Sequence, residues 1–281
     1  MRHGLPALAV ACALILGSAT LAAQRQSAIR TVPISRVDTL LAHGRLAAAE
    51  QALYAAVEAR PRAPEARGAL AWYLASRARF GIADVLFTEA LRFGADSESV
   101  RRARATIAPY AARVAGSPST IPFVFAEDAR TIGHFVMRIE ESVVRGILDP
   151  NAVGLTAGST ATARAMARSV WIGDRQLSRQ PIAVDSTLAP GEVRVGMDVL
   201  FGHAPVFDEG RGLLSLGGAT AALGVADSVV RIPFVLAMPG VWLVERSGVA
   251  PVSLESPRGR DLLRGARWRL DPEQSVVVVE R

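Results

Sequence analysis

The chain reads Gly146-Ile147-Leu148-Asp149-Pro150-Asn151-Ala152 near its middle, and this stretch decides how the carboxyl-terminal half is interpreted. The residues from Ser142 to Leu148 predict a β-strand, and the alternation of Gly133–Ile139 predicts another before it. The acid therefore stands where a strand runs into a loop, a common place for binding and catalytic residues. The alternative interpretation is a solvated turn aspartate before a proline.

Short strands and tight turns lie on both sides of this acidic loop. Gly173-Asp174-Arg175 predicts a turn between two strands, and residues 208–212 predict a second one. A short helix is expected at Met197–Phe201. Strands that are joined in this way predict a closed or sandwiched β-domain, which we place at residues 121–218.

Four elements in this order resemble the retropepsin-like aspartic proteases of bacteria. They are the Ile-Pro-Phe strand at 121–123, the acidic loop at Asp149, the turn Ile172-Gly173-Asp174 and the stretch Val195-Gly196-Met197-Asp198-Val199-Leu200. The resemblance implies an all-β acid-protease barrel in which Asp149 is the catalytic carboxylate. It also implies that a second copy of the chain, in a homodimer, supplies the partner carboxylate.

The loop departs from the family pattern, which reads Asp-Thr-Gly or Asp-Ser-Gly. Pro150 has neither a hydroxyl nor an N–H, and Asn151 keeps an N–H but adds bulk where two carboxylates should nearly touch. The chemistry needs two carboxylates that share one proton and activate a water. We therefore expect a catalytically impaired or inactive protease fold; if it is active, it is an aspartic-type endopeptidase that uses Asp149. Asp198 is interpreted as a helix-start or packing residue.

A faint internal repeat appears in residues 219–281. Ile232-Pro233-Phe234 repeats Ile121-Pro122-Phe123, and Gly259–Leu263 loosely repeats Gly196–Leu200. One interpretation is a degenerate second lobe, which would make a homodimer less necessary, and the other is coincidence among apolar strands. The repeat has no Asp-Thr-Gly-like triplet, and Glu245-Arg246-Ser247-Gly248 stands nearest to its place.

Residues 36–112 carry a second, longer period. Ala49 and Ala83 are 34 residues apart, as are Leu53 and Phe87, and such a period indicates stacked helical hairpins. This segment resembles tetratricopeptide repeats followed by a capping helix. The resemblance implies a peptide or protein ligand, whereas the alternative is that the repeats only pack on their neighbour. The fold class is therefore α+β and multidomain, with a short all-α module before the β-domain.

The amino-terminal residues 1–23 are typical of an export signal. Arg2 and His3 precede an apolar run from Leu5 to Leu16, and small residues follow it. We expect an exported protein, periplasmic or secreted, with linkers at 24–35 and 113–120; a retained anchor is the alternative. No later stretch reaches about 18 apolar residues, so no integral membrane span is expected after signal cleavage.

Composition excludes several kinds of chemistry. All of the 32 basic residues are arginine, against 26 acidic residues, so the net charge is +6 and lysine chemistry is absent. Cys12 is the only cysteine, which excludes disulfides and cysteine-based metal sites. His43, His134 and His203 lack metal-ligand spacing, and we expect neither a metal nor a cofactor. Nucleic-acid binding is not expected, because few aromatic residues accompany the arginines. The competing function is a non-enzymatic periplasmic binding or scaffold protein.

Overall fold

The computed structural model describes residues 34–111, 118–127, 131–158, 166–177, 180–217, 228–237 and 240–281. The predicted signal peptide, residues 24–33 and residues 113–117 of the second linker lie outside these ranges. The chain is α+β, with helices first and two β-sheets after them. It divides into two compact units, and residues 233–238 and 242–252 of the segment predicted as 219–281 group with the helical unit.

Helices make up the amino-terminal part of the first unit. They are α1 (Ile34–Ala42), α2 (Leu46–Ala59), α3 (Pro64–Ser76), α4 (Phe80–Arg92) and α5 (Ser97–Ala111). α2 and α4 begin 34 residues apart, and Ala49, Ala83, Leu53 and Phe87 are all buried. The residues that repeat in the sequence are therefore the ones that form the helical core. α1 begins two residues before the predicted boundary at 36.

The carboxyl-terminal part consists of short strands and two short helices. The strands are β1 (Ser119–Pro122), β2 (Val124–Phe125), β3 (Gly133–Ile139), β4 (Ser142–Asp149), β5 (Leu155–Ala157), β6 (Met166–Ala167), β7 (Val170–Ile172), β8 (Arg175–Leu177), β9 (Gln180–Val184), β10 (Glu192–Gly196), β11 (Val206–Asp208), β12 (Leu213–Leu216), β13 (Val229–Ala237), β14 (Gly240–Leu243), β15 (Val252–Ser253), β16 (Arg267–Asp271) and β17 (Val276–Glu280). The helices are α6 (Met197–Phe201) and α7 (Pro257–Leu263). This part is therefore not strictly all-β.

One sheet carries the acidic loop. Its strand order is β6-β9-β5-β10-β4-β3-β7-β8, with β2 added on β3. β4 lies between β3, its antiparallel hairpin partner, and β10, which runs parallel to it. The parallel register pairs Asp149 with Gly196, so the end of β4 lies beside the start of α6.

The other sheet has a symmetric order along most of its width. Its order is β1-β12-β11-β16-β17-β13-β14-β15. The internal repeat matches β1 to β13, because both carry Ile-Pro-Phe-type sequences. In the same way it matches β12 to β17 and β11 to β16. In the central antiparallel pair, Val206 lies opposite Arg269, which is 63 residues later. The same offset relates Gly196 to Gly259 in the sequence.

Aromatic side chains fill the core of the second unit. The Phe123 ring lies 6.0 Å from the Phe135 ring and 5.6 Å from the Phe207 ring, measured between centroids. Phe207 stacks on Trp268 at 4.2 Å, directly across the β11–β16 pair. Offset and edge-on aromatic contacts of this kind stabilise a core beyond the area that they bury.

The structure corrects one predicted boundary. β1 begins at Ser119, inside the linker that was predicted at 113–120, because Ser119 and Thr120 pair with Leu216 and Ser215. Sequence composition favoured a linker there, and the strand forms because a distant partner strand supplies its hydrogen bonds. None of the helices within the described ranges has the length and apolar character that crossing a membrane requires.

Candidate functional site

Asp149 is the last residue of β4, and its loop is held by local hydrogen bonds. The Asn151 N–H donates to Asp149 Oδ1 at 2.9 Å, and the Ala152 N–H donates to the Asp149 carbonyl at 3.1 Å. Pro150 can donate no backbone hydrogen bond, so Asn151 supplies the first N–H after the acid. The loop thus forms an Asx-type turn that fixes one oxygen of the carboxylate.

Asp198 supports this loop from the start of α6. It is buried, and both of its carboxylate oxygens accept from the Gly154 N–H at 2.9 Å. Burial raises the pKa of Asp198, and the backbone N–H groups of Gly154, Asp198 and Val199 act in the opposite direction. Its partners are backbone groups, which agrees with its interpretation as a helix-start and packing residue.

A second carboxyl group, from Glu255, shares Asn151 with Asp149 and lies within reach of its charge. Glu255 lies between β15 and α7, and the Asn151 side-chain amide donates to its Oε2. Its Oε1 is buried and receives no conventional donor among the described residues. A hydrogen bond between the two carboxyl groups therefore forms only when one of them carries a proton. Asp149 and Glu255 are together called the acid pair.

The environment of Glu255 favours its protonated form. Burial is the largest cause, and the charge of Asp149 and the hydrogen bond to it add to the effect; together they raise the pKa of Glu255 to about 7. The hydrogen bonds from Asn151 lower it and only partly offset these causes. Near neutral pH Glu255 is therefore partly protonated.

Arg194 lies next to Asp149 on the neighbouring strand β10. Its Nε is 3.4 Å from Asp149 Oδ2, and its Nη1 is 3.6 Å from Asp185 Oδ2. Asp149 thus has a cation and a backbone donor, whereas the hydrogen bonds to the Glu255 carboxyl group come from the side-chain amide and the N–H of Asn151. A cation beside one member of a carboxyl pair stabilises the ionised form of that member. The two members of the pair are therefore unequal, since Asp149 has a cation beside it and Glu255 is the member whose protonated form is favoured.

A cavity of about 350 Å3 includes Glu255, but not Asp149, in its wall. Its apolar wall is formed by Phe125, Ile132, Leu254, Leu263 and Trp268. Arg260 closes one side, because its guanidinium donates to the carbonyl oxygens of Ala126 and Thr131 at 2.5 and 2.6 Å. The volume lies at the lower end of the range for ligand-binding sites.

The sequence analysis singled out Asp149 and missed Glu255. The stretch that stands nearest to the place of an Asp-Thr-Gly triplet in the internal repeat is Glu245-Arg246-Ser247-Gly248, and it belongs to the first unit. There the Gly248 N–H donates to the His43 carbonyl at 2.9 Å. The internal repeat gave no signal for Glu255, because its 63-residue offset matches Glu255 to Glu192 and not to Asp149.

The remaining candidate residues stay apart from the acid pair. Arg175 donates to Nδ1 of the buried His203 at 2.6 Å, and Arg145 lies 3.2 Å from His134 Nδ1. Within the described ranges no three acidic, histidine or cysteine side chains come together in a way that could hold a metal ion. Most of the segment 158–168, where the family resemblance would put a substrate-covering flap, lies outside the described residues.

Comparison with known proteins gives one similarity of note. No protein-family model and no curated protein sequence matches the chain. Among solved structures, it is similar to a retropepsin-like aspartic protease from Rickettsia conorii, with 15% sequence identity and a TM-score of 0.28. That similarity covers 36% of this chain and 90% of the other one.

Proposed function

We propose that the second unit is a single-chain, retropepsin-like domain whose acid pair hydrolyses peptide bonds slowly. The observation that carries this proposal is that Asn151 joins the two carboxyl groups within one chain, because its N–H donates to Asp149 and its side-chain amide donates to Glu255. An isolated turn aspartate would have solvent or backbone partners instead. One carboxyl group of the pair has a cation beside it, and the other is partly buried with few donors. Such unlike environments divide the general-base and general-acid roles between two carboxyl groups.

The reaction follows from the protonation of the acid pair. Asp149, ionised beside Arg194, accepts a proton from a water as that water attacks the peptide carbonyl carbon. Glu255 gives its proton to the carbonyl oxygen, and a tetrahedral diol forms. Asp149 then delivers its proton to the amide nitrogen, the C–N bond breaks, and Glu255 regains a proton from the collapsing diol. No metal or cofactor takes part in these steps.

The internal repeat supports a site that is complete in one chain. The symmetric strand order β1-β12-β11-β16-β17-β13 corresponds to two related halves that meet at the β11–β16 pair. We interpret the second half as a degenerate lobe that supplies Glu255. A homodimer through the β-domain is therefore unnecessary for the acid pair to form.

Three features account for a slow reaction. Pro150 removes the hydroxyl that would tie the loop down, and Glu255 has one more rotatable bond than an aspartate. Arg194 also competes with water for Asp149 Oδ2. A charged partner on the base lowers its driving force for accepting a proton, so activity below that of an Asp-Thr-Gly site is expected.

The setting of this domain belongs to the same proposal. The signal-like residues 1–23 support an exported protein, periplasmic or secreted, and the 34-residue period supports tetratricopeptide-like repeats before the protease-like domain. A non-enzymatic binding or scaffold protein is the second candidate. Arg194 favours it, because an ion pair on Asp149 can hold the loop without any chemistry.

The proposal is tested by proteolysis of an unfolded, fluorescently labelled protein at pH 5. We expect Asp149→Asn and Glu255→Gln each to lower the rate by about a hundredfold or more, and the double variant to be no slower, because the two groups act as one unit. Asp261→Asn is the matched control, since Asp261 is exposed and pairs only with Arg264. The rate of the wild-type chain should fall as the pH rises through about 7, where Glu255 loses its proton.

Two results would contradict the proposal. Equal cleavage by the wild-type chain and by both acid-pair variants would remove the pair from the mechanism. A specific activity that rises with protein concentration would show that a second copy completes the site, since a single-chain site gives a rate proportional to concentration.

A further inference from the structure

The five helices of the first unit enclose a groove of about 340 Å3 that the acid pair does not use. Its walls are mainly apolar and include Val37, Leu53, Trp72, Phe87 and Val100. All of the lining residues belong to α1–α5 or to the loop before α5, so the groove is formed within the first unit. Its volume admits a few side chains rather than a folded domain.

The charge of the groove is opposite to that of the chain. Three carboxylates line it, from Asp38, Glu65 and Asp96, and none of its lining residues is basic. The chain as a whole has 32 basic residues and a net charge of +6. General electrostatic attraction by this protein would therefore favour anions, whereas the groove favours a cation.

Two of the three carboxylates have no partner within the structure. Asp96 is engaged, because it accepts from the N–H groups of Glu98 and Ser99 at the start of α5. Asp38 and Glu65 make no hydrogen bond or ion pair with any described residue. Asp38 is half-buried in the apolar wall, and burial raises its pKa. A partly buried carboxylate without a partner is costly, and a cation that enters the groove would offset that cost.

We propose that this groove binds a peptide segment of a partner protein in which an arginine or lysine is flanked by apolar side chains. The apolar side chains lie against Trp72 and its neighbours, and the cationic group reaches Asp38. Both features are needed, because an apolar peptide alone leaves Asp38 unpaired and a cation alone buries no apolar surface.

Gly68 allows the groove to be filled by a single substitution. Gly68, in the middle of α3, lines the groove, and a Cβ atom placed on it would meet no atom within 4 Å. A leucine there would fill the groove without displacing its walls. Gly81, near the start of α4, is also helical and equally open, but it is exposed and does not line the groove. Gly68→Leu and Gly81→Leu are therefore a matched pair, and both should raise helix stability by removing a helical glycine.

The test measures binding of a capped, fluorescent dodecapeptide of leucine and arginine to the purified full chain. We expect Gly68→Leu to weaken binding about tenfold or more and Gly81→Leu to leave it unchanged. Replacing the arginines of the peptide by citrulline, a neutral isostere, should weaken binding about threefold to tenfold. Asp38→Asn should reduce the difference between the arginine and citrulline peptides.

Each arm can overturn the proposal. Equal affinity of the wild-type and Gly68→Leu chains would show that the peptide binds elsewhere, and no measurable binding to the wild-type chain would have the same consequence for the groove. Equal affinity for the arginine and citrulline peptides would refute the cationic preference. If Gly68→Leu fails to fold, the citrulline peptide and Asp38→Asn still decide the matter, and the acid pair is untouched by any of these results.

Discussion

The loops that carry Asp149 and Glu255 each pack closely against a glycine. They differ in the hydrogen-bond donors around their carboxyl groups. Behind each loop lies a glycine at the start of a short helix, Gly196 for the first and Gly259 for the second. A Cβ atom on Gly196 would lie 2.5 Å from the Ala152 carbonyl oxygen, and one on Gly259 would overlap the Ser253 carbonyl oxygen. The same close approach therefore places both loops, which is what two related halves would share.

The donors around the two carboxyl groups are unequal. Asp149 has the Asn151 N–H and the Arg194 guanidinium, whereas Glu255 has an oxygen without a donor and a raised pKa. The comparison teaches that two loops with a similar backbone placement can have unequal electrostatics. The inequality favours a proton on Glu255, whose pKa is raised.

The largest expected effect is on the free energy of unfolding, when a side chain is added to either of these two glycines. Gly196→Ala and Gly259→Ala should each destabilise the chain by about 2 kcal/mol, because the added methyl group meets a backbone carbonyl that cannot move aside cheaply. Gly210→Ala is the control, since its Cβ would have only Asp208 nearby, at 3.8 Å. Chemical denaturation measures all three, and wild-type stability in either buried-glycine variant would show that the two loops are not held in this way.

A smaller effect should appear in the pH dependence of stability. The folded pKa of Glu255 is about 7 and its ordinary value is 4.5, so the folded state binds more protons between these pH values. Its contribution to stability is therefore complete below about pH 4.5 and is lost as the pH rises to 7. Relative to Glu255→Gln, the wild-type chain should lose about 1 kcal/mol over this range, a modest value because solvent still reaches the group.

His203 has the opposite pH dependence and must be considered in the same measurement. Burial and the neighbouring Arg175 lower the pKa of His203 from 6.5 to about 4, so its contribution to stability rises with pH between these values. The two groups offset each other in the wild-type chain, and the difference between wild type and Glu255→Gln isolates the carboxyl group. A difference that does not vary with pH would contradict a raised pKa at Glu255.

The smallest effect sharpens the contrast between the donors. Asn151→Ala keeps the backbone N–H on Asp149 and removes the side-chain donor to Glu255. Since that hydrogen bond lowers the pKa of Glu255, its loss should raise this pKa. A carbon-13 NMR titration of the glutamate carboxyl groups measures the change, with Gln176→Ala, an exposed amide on β8, as the control. A lower pKa in Asn151→Ala would reverse the assigned role of this amide.

Local patterns in the sequence predicted the elements that carry Asp149. The alternation of residues 133–139 and 142–148 predicted β3 and β4, and the apolar stretch after Gly196 predicted α6. These predictions were correct because strand alternation and helix starts depend on neighbours within a few residues. The start of β1 at Ser119 was mispredicted, since that strand depends on pairing with β12 almost 100 residues away.

The sequence by itself determined that helices precede strands, that a strand ends at Asp149, that lysine is absent and that Cys12 is the only cysteine. Only the tertiary structure decided that Glu255, more than 100 residues further along, is the partner of Asp149, and that an acid-lined groove lies among arginine-rich helices. The physical reason is that strand periodicity and composition act over a few residues. The meeting of two carboxyl groups instead depends on the pairing of whole strands and on the close approach of two backbone loops to Gly196 and Gly259.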